Sequence, residues 1–217
     1  MRLIDLSQPL YDGCPNCPAH PAVKSELIAT HPADGWQCEL LTLSNHTGSH
    51  VDAPLHKVAG GRSLDDLPLT TWVGPAWVVD LRDSTADRRI TGELLQAKLP
   101  NLPPDAIVLL ATGWGDKRAK TEEWSHHSPW VDPSGARWLV DRKARGVGID
   151  HYSIGGFGPE NATTHEILLG NGVWVVEELK FPPEVFALPM PVKFWTLPVN
   201  LKGHTGAFCR PVIEVAD

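Results

Sequence analysis

Short apolar runs, closed off by glycine, proline or polar clusters, recur along the chain, and most are too short for helices. Residues 3–7 read as an N-terminal strand. Residues 36–44 alternate so that Trp36, Cys38, Leu40 and Thr42 share one face, the period of a half-buried strand. Runs rich in Val, Ile, Leu or Trp predict further strands at 76–81, 107–112, 147–150, 173–177 and 190–197. Two helices stand out. Residues 134–145 follow Asp132 as N-cap and Pro133 at the first helical position, with Gly146 as the stop. A shorter helix starts near Thr163, where Thr163 and Glu166 have capping-box spacing, and Gly170 or Gly172 ends it. Strands outnumber helices, so the pattern predicts an α/β or α+β domain, a mixed sheet with few helices packed against it and its topology open.

Composition narrows the picture. A chain of 217 residues suits a single domain spanning 1–217, since one core accommodates up to roughly 250 residues. With 42% hydrophobic and 21% charged residues the chain is close to the globular average, and no run approaches the roughly 20 apolar residues of a membrane span. No membrane partner is therefore expected. Residues 1–10 lack the basic start and apolar run of a secretory signal, which predicts a cytoplasmic location. A net charge of -7 without clustered Lys and Arg argues against nucleic acid as a partner and for a small molecule. The 20 prolines and 19 glycines predict a loop-rich domain. In a reducing compartment the four cysteines are thiols or ligands rather than a disulfide framework. Cys14 and Cys17 form a Cys-x-x-Cys pair with His20 three residues on. A structural zinc site would need Cys38 or His31 to fold back as fourth ligand, and the plainer reading is a Pro-rich loop with incidental thiols.

The informative stretch is residues 46–56, His-Thr-Gly-Ser-His-Val-Asp-Ala-Pro-Leu-His, which holds three histidines and one aspartate in eleven positions. Two imidazoles and a carboxylate suit Zn²⁺, Mn²⁺ or Fe²⁺, and three protein ligands leave coordination positions open for water or substrate. His50 and Asp52 are two apart, so an extended backbone points both to one side, while Gly48 lets the chain turn His46 toward them. Gly48 and Pro54 argue against a continuous helix. The competing reading is a His-rich surface loop with hydrogen-bonded imidazoles.

This stretch resembles the signature of the cyclase family of metal-dependent hydrolases, which includes bacterial kynurenine formamidase and isatin hydrolase: His-x-Gly-Thr-His-x-Asp-x-Pro-x-His. Ser49 replaces the usual threonine and keeps its hydroxyl. The resemblance continues through residues 68–74, Gly148-Ile149-Asp150, Glu177-Glu178-Leu179 and residues 188–194. It implies a single domain of the swivelling β/β/α type and a homo-oligomer, dimer or tetramer. It also implies a divalent metal, Zn or Mn, on His46, His50 and Asp52, with His56 as proton acceptor. A second ion, bridged by Asp52, would be held by a His and a Glu twelve residues apart, a spacing that His165 and Glu177 share. His165 is expected in the first turn of the short helix and Glu177 at the end of the next strand. The plainer readings are a helix-start histidine donating to a carbonyl and a solvent-facing strand end. One-metal relatives leave the count at one or two ions.

The resemblance thus predicts hydrolysis of a small amide by metal-activated water with His56 as general base. An arylformamide such as N-formylkynurenine and a cyclic amide such as isatin are the leading substrates. A lactone or cyclic imide is the alternative, as is a non-catalytic metal-binding scaffold or sensor, which would have no need of His56. Nine tryptophans are unusual, and Trp36, Trp72 and Trp195 are candidates to stack on an aromatic substrate, although a core role is commoner. The Trp-Pro-Gly-like segment that shapes the site in formamidases is replaced here by residues 12–21, Asp-Gly-Cys-Pro-Asn-Cys-Pro-Ala-His-Pro. The family's Asp-Thr-x-Ser becomes Asp150-His151-Tyr152-Ser153, making His151 a candidate substrate contact against the plainer role of a hydrogen-bonded strand-end residue. Residues 113–130, with Trp114, Trp124 and Trp130 and the loop residues His126 and His127, read as a lid or oligomer contact, or as a loop anchored by buried aromatics.

Overall fold

The computed structural model describes residues 1–84 and 87–215, among which thirteen strands and five α-helices occur. The strands are β1 (Arg2–Asp5), β2 (Lys24–Ala29), β3 (Cys38–Thr42), β4 (His50–Asp52), β5 (Val73–Asp80), β6 (Arg89–Ile90), β7 (Ile107–Ala111), β8 (Trp130–Val131), β9 (Gly146–Ile149), β10 (Trp174–Glu177), β11 (Val192–Trp195), β12 (Gly206–Phe208) and β13 (Val212–Val215). The helices are α1 (His31–Asp34), α2 (Gly92–Lys98), α3 (Glu122–His126), α4 (Pro133–Asp141) and α5 (Glu160–Gly170).

Nine strands form one mixed sheet in the order β1-β13-β11-β5-β7-β9-β10-β4-β12. The middle four, β5, β7, β9 and β10, are parallel, and the flanking pairs are antiparallel. β7, β9 and β10 contain only buried residues, as their unbroken apolar character requires when both faces are covered. Each face has its own core. Val79, Val108, Leu110, Val147 and Val175 pack with Leu95 of α2, Leu139 of α4 and Leu168 of α5, while Val51, Ala76, Leu109, Val176 and Phe194 pack on the other side with Trp72, Trp174 and Phe181. This is the expected mixed sheet with few helices.

The helix boundaries move in instructive ways. Asp132 caps α4 as expected, its Oδ1 accepting from the Ser134 and Gly135 amides at 2.8 and 2.9 Å. The helix ends at Asp141, short of residue 145, and Lys143 turns the chain with φ 56°. Gly146 is not the helix stop. It opens β9, where a Cβ would lie 2.3 Å from the Trp174 ring, so glycine serves a close approach between neighbouring strands. α5 starts at Glu160 instead of Thr163, which places His165 in the second turn, and it ends at Gly170.

Residues 36–44 yield only β3, which pairs with β2 in a separate two-stranded ribbon. Trp36, Leu40 and Leu41 stay exposed with Leu27 and Ile28, because the alternation that predicts a half-buried strand finds no core to face. In the 113–130 segment, Trp114 and Trp124 are buried against Tyr152, and the Trp114 indole donates to the Trp124 carbonyl at 3.0 Å. Buried aromatic anchors therefore describe this segment. Among the described residues no helix is long and apolar enough to cross a membrane, and all four cysteines are free.

Candidate metal centre

The site begins with a register. β4 and β10 pair antiparallel with His50 opposite Glu177 and Asp52 opposite Val175. Directly opposed residues project from the same face, and so do residues two apart on one strand, so the pairing puts His50, Asp52 and Glu177 on one side. Val51 and Val176, alternating with them, enter the core on the other side. Gly48, at φ 63°, turns the preceding chain so that His46 returns over Asp52, its Nδ1 donating to Asp52 Oδ1 at 2.7 Å. α5 brings His165 to the same carboxylates, with Nε2 3.1 Å from Glu177 Oε1 and 3.7 Å from Asp52 Oδ2. All five side chains are buried.

Hydrogen bonds behind the rings set their orientation. His50 Nδ1 lies 2.8 Å from the Gly48 carbonyl and His165 Nδ1 lies 2.8 Å from the Asn161 carbonyl, so each Nδ1 must carry the proton and donate. Each Nε2 then faces carboxylate oxygens, for His50 at 3.5 Å from Asp52 and 3.4 Å from Glu177. A neutral imidazole would set a lone pair against lone pairs there. A cation between them removes that conflict, and carbonyl-anchored imidazoles are the usual arrangement of histidine ligands. Burial works against a carboxylate at Asp52, but the His46 cation form beside it outweighs this and holds Asp52 well below the usual range. For His165 burial is likewise opposed, by Glu177, whose carboxylate raises the imidazole above its ordinary value. Glu177 Oε1 also accepts from the Ile154 amide at 2.7 Å.

His56 closes the group. It ends a short 3-10 turn, Pro54–His56, and its ring centre lies 4.2 Å from that of His46 and 5.9 Å from that of His165. Burial pushes it down to about 4, against the pull of Asp52 and with help from the neighbouring imidazoles, so it is neutral at pH 7. Two sets of donor atoms lie within 4.8 Å of one another, His46-Asp52-His56 and His50-Asp52-Glu177, with Asp52 common to both. The donor types, and the tautomers of His50 and His165, fit a divalent cation. His56 stands close enough to His46 and Asp52 to serve as a ligand as well as a base.

The aromatic candidates lie elsewhere. Trp72 is 1% exposed and packs on Trp174 in the core, and Trp36 is 56% exposed in the connection from β2 to β3. Trp195 donates to Glu214 under the Lys193 ammonium. His151 is fully buried, its Nε2 2.8 Å from the Trp124 carbonyl, and the plainer role of a hydrogen-bonded strand-end residue fits it. The 220 Å³ cavity over the donor set is lined instead by its neighbours Tyr152 and Ser153, with Cys17, His20, Lys57 and Asn161. Thr205, whose Oγ1 lies 2.8 Å from His46 Nε2, has no signal in the local sequence because it is 159 positions from its partner. His20 and Cys17 are legible only in hindsight, from the segment where the chain departs from the formamidase pattern. Ser49, in the signature itself, joins elements: its Oγ donates to the Glu178 carbonyl at 2.6 Å and accepts from the Gln8 amide at 2.8 Å.

A mixed sheet that buries two carboxylates among four imidazoles defines a metal-binding α/β domain. The chain belongs to the cyclase family, described as "Putative cyclase", whose model matches residues 4–155. It is 31% identical over 210 residues to the kynurenine formamidase of Salinibacter ruber, covering 88% of this chain and 92% of the relative. The kynurenine formamidase of Polaromonas naphthalenivorans is 29% identical over 197 residues, covering 88% and 84%. Among solved structures, isatin hydrolase A from Labrenzia aggregata bound to benzyl benzoate aligns with a TM-score of 0.83 at 26% identity, over 100% of this chain and 94% of that one. A potential metal-dependent hydrolase with cyclase activity aligns at 0.80 and 28% identity, over 98% and 96%.

Proposed function

We propose that the protein is a metal-dependent hydrolase of small non-peptide amides, with His46, His50, Asp52, His165 and Glu177 as the ligand set for one or two Zn or Mn ions. The observation that carries this reading is the pair of carbonyl-anchored imidazoles, His50 and His165, whose free nitrogens converge on the Asp52 and Glu177 carboxylates. A divalent cation held there supplies Lewis acidity, acidifying water and polarising a carbonyl. His56, neutral at pH 7, accepts the proton of the attacking water as its oxygen bonds to the carbonyl carbon, then returns that proton to the nitrogen as the C–N bond breaks. Tyr152 and Ser153 wall the cavity, and Tyr152 is held in place by its hydroxyl donating to the Ser125 carbonyl at 2.5 Å.

Kinship with kynurenine formamidases and isatin hydrolases favours an arylformamide or a cyclic amide as substrate. Metal analysis combined with a panel of formyl anilide, isatin, cyclic imide and lactone tests this. Replacing His56 with alanine is expected to keep the metal and lower kcat by about 100-fold or more, whereas His50→Ala or Asp52→Ala loses the metal. Loss of metal from His56→Ala would make it a ligand, and absence of metal-dependent turnover across the panel would favour a non-catalytic scaffold. The exposed leucines of the ribbon support a homodimer or homotetramer, and the four free thiols fit a cytoplasmic setting.

A further inference from the structure

Glu177 ends β10 at the metal cluster, and Trp174 begins the same strand at another cavity, of 510 Å³. That volume lies within the roughly 300–1,000 Å³ usual for small-molecule sites. Lys143 and Arg145, from the turn between α4 and β9, and Asp105, just ahead of β7, line it with Trp174, so it sits at the edge where the parallel strands start. None of them is a proposed metal ligand.

The wall is rich in donors and short of acceptors. Trp174 is 2% exposed and its Nε1 has no hydrogen-bond partner. Orphaned buried polar groups are costly and uncommon, and an indole N–H can only donate, so what Trp174 lacks is an acceptor. Asp105, the one carboxylate on the wall, is engaged by Arg145 through Nε at 2.8 Å and through Nη2. Arg145 also donates to the Thr70 and Val73 carbonyls. With that pair neutralised, the Lys143 ammonium is left as a net positive charge with no ion-pair partner among the described residues. The backbone holds this charge in place. Lys143 at φ 56° and Asp105 at φ 66° both occupy the left-handed region that non-glycine residues seldom adopt, and the Asp105 amide donates to the Lys143 carbonyl at 2.8 Å.

We propose that this cavity is an oxyanion site, in which a phosphate or carboxylate group accepts from the Trp174 indole and pairs with the Lys143 ammonium. The remaining space takes the body of the small molecule that carries the group. Because the site shares no residue with the proposed metal centre, it stands or falls independently of hydrolysis.

The zinc-loaded, isotope-labelled protein is titrated with sodium phosphate and with sodium acetate, each against sodium chloride at equal ionic strength, while the indole N–H signals of its nine tryptophans are followed by nuclear magnetic resonance. Trp174→Phe, which keeps an aromatic ring and removes the donor, identifies the Trp174 signal by its loss. That signal is expected to shift saturably with phosphate, acetate or both, and the comparison identifies which group the site takes. Lys143→Glu, at an exposed position, should weaken the binding by about tenfold or more, the worth of one charge-assisted hydrogen bond. A shift that chloride reproduces is mere screening, and one indifferent to Lys143→Glu comes from an anion bound elsewhere, at the metal cluster for example. Either result, or no shift at all, would overturn the proposal. Should Trp174→Phe fail to fold, calorimetric titration of the wild type and Lys143→Glu decides: a tenfold difference in affinity sustains the site, and equal affinities or no binding end it.

Discussion

Burial of the His151 imidazole pushes it down to about 3, only partly offset by hydrogen bonds with the Trp124 and Ser153 backbone. An unfolded chain binds a proton here from about pH 6.5 downward while the folded chain does not, so the unfolded state binds more protons throughout that window. The stability is fully present above pH 6.5 and is lost as pH falls toward 3, by at most about 1.4 kcal/mol per pH unit. His151→Gln, which keeps a donor toward the Trp124 carbonyl, is expected to flatten that acid limb. Urea denaturation at several pH values checks this, and an unchanged slope would show that the proton uptake belongs to another group. At this scale the sequence was a good guide where partners are local. His46, His50, Asp52 and His56 stand within eleven residues, so backbone geometry alone makes them neighbours. His151 was ambiguous because the side chain that faces the cavity there is Tyr152, and only the packing of Trp124 decides between adjacent residues.

Elements position these residues through a few contacts that tolerate no added atoms. β9 and β10 approach so closely at Gly146 that a methyl group would strike the Trp174 indole. Gly146→Ala is therefore expected to destabilise the fold by about 1–3 kcal/mol, and Trp174→Leu in the same chain should recover part of the loss. A shift in the urea midpoint that the second substitution does not reduce would assign the cost to backbone strain instead. The same logic operates at the end of β10. Glu178, at φ 52°, donates its amide to the His151 carbonyl at 2.7 Å, and its buried carboxylate meets Arg118 Nε at 2.8 Å. Arg118 in turn donates to the Pro9 and Pro15 carbonyls, tying the segment that carries Cys17 and His20 to the strand that carries Glu177. None of this was visible in the strand pattern, which predicted where β10 runs but not what its last residues hold.

For the whole molecule the main exposed feature is the β2–β3 ribbon, where Leu27, Ile28, Leu40 and Leu41 are each more than half exposed. A pair of strands with apolar side chains on the outside is poorly stable alone and gains from covering. Light scattering is expected to show a dimer or larger for the wild type, and Leu27→Lys with Leu41→Lys should shift it to a monomer. A wild-type monomer at micromolar concentration would rule out the ribbon as an interface. By itself, the sequence determined the mixed character of the fold, the cap of α4 and the local half of the candidate metal centre, because periodicity, capping and a short motif depend on neighbours along the chain. Tertiary structure alone decided which strands adjoin, and with it the pairing of His50 with Glu177, the approach of His165 to Asp52 and the cavity shared by Lys143 and Trp174. These depend on strand order and on side chains far apart in the chain, and a register shift of one residue would have turned Asp52 from its imidazoles into the apolar core.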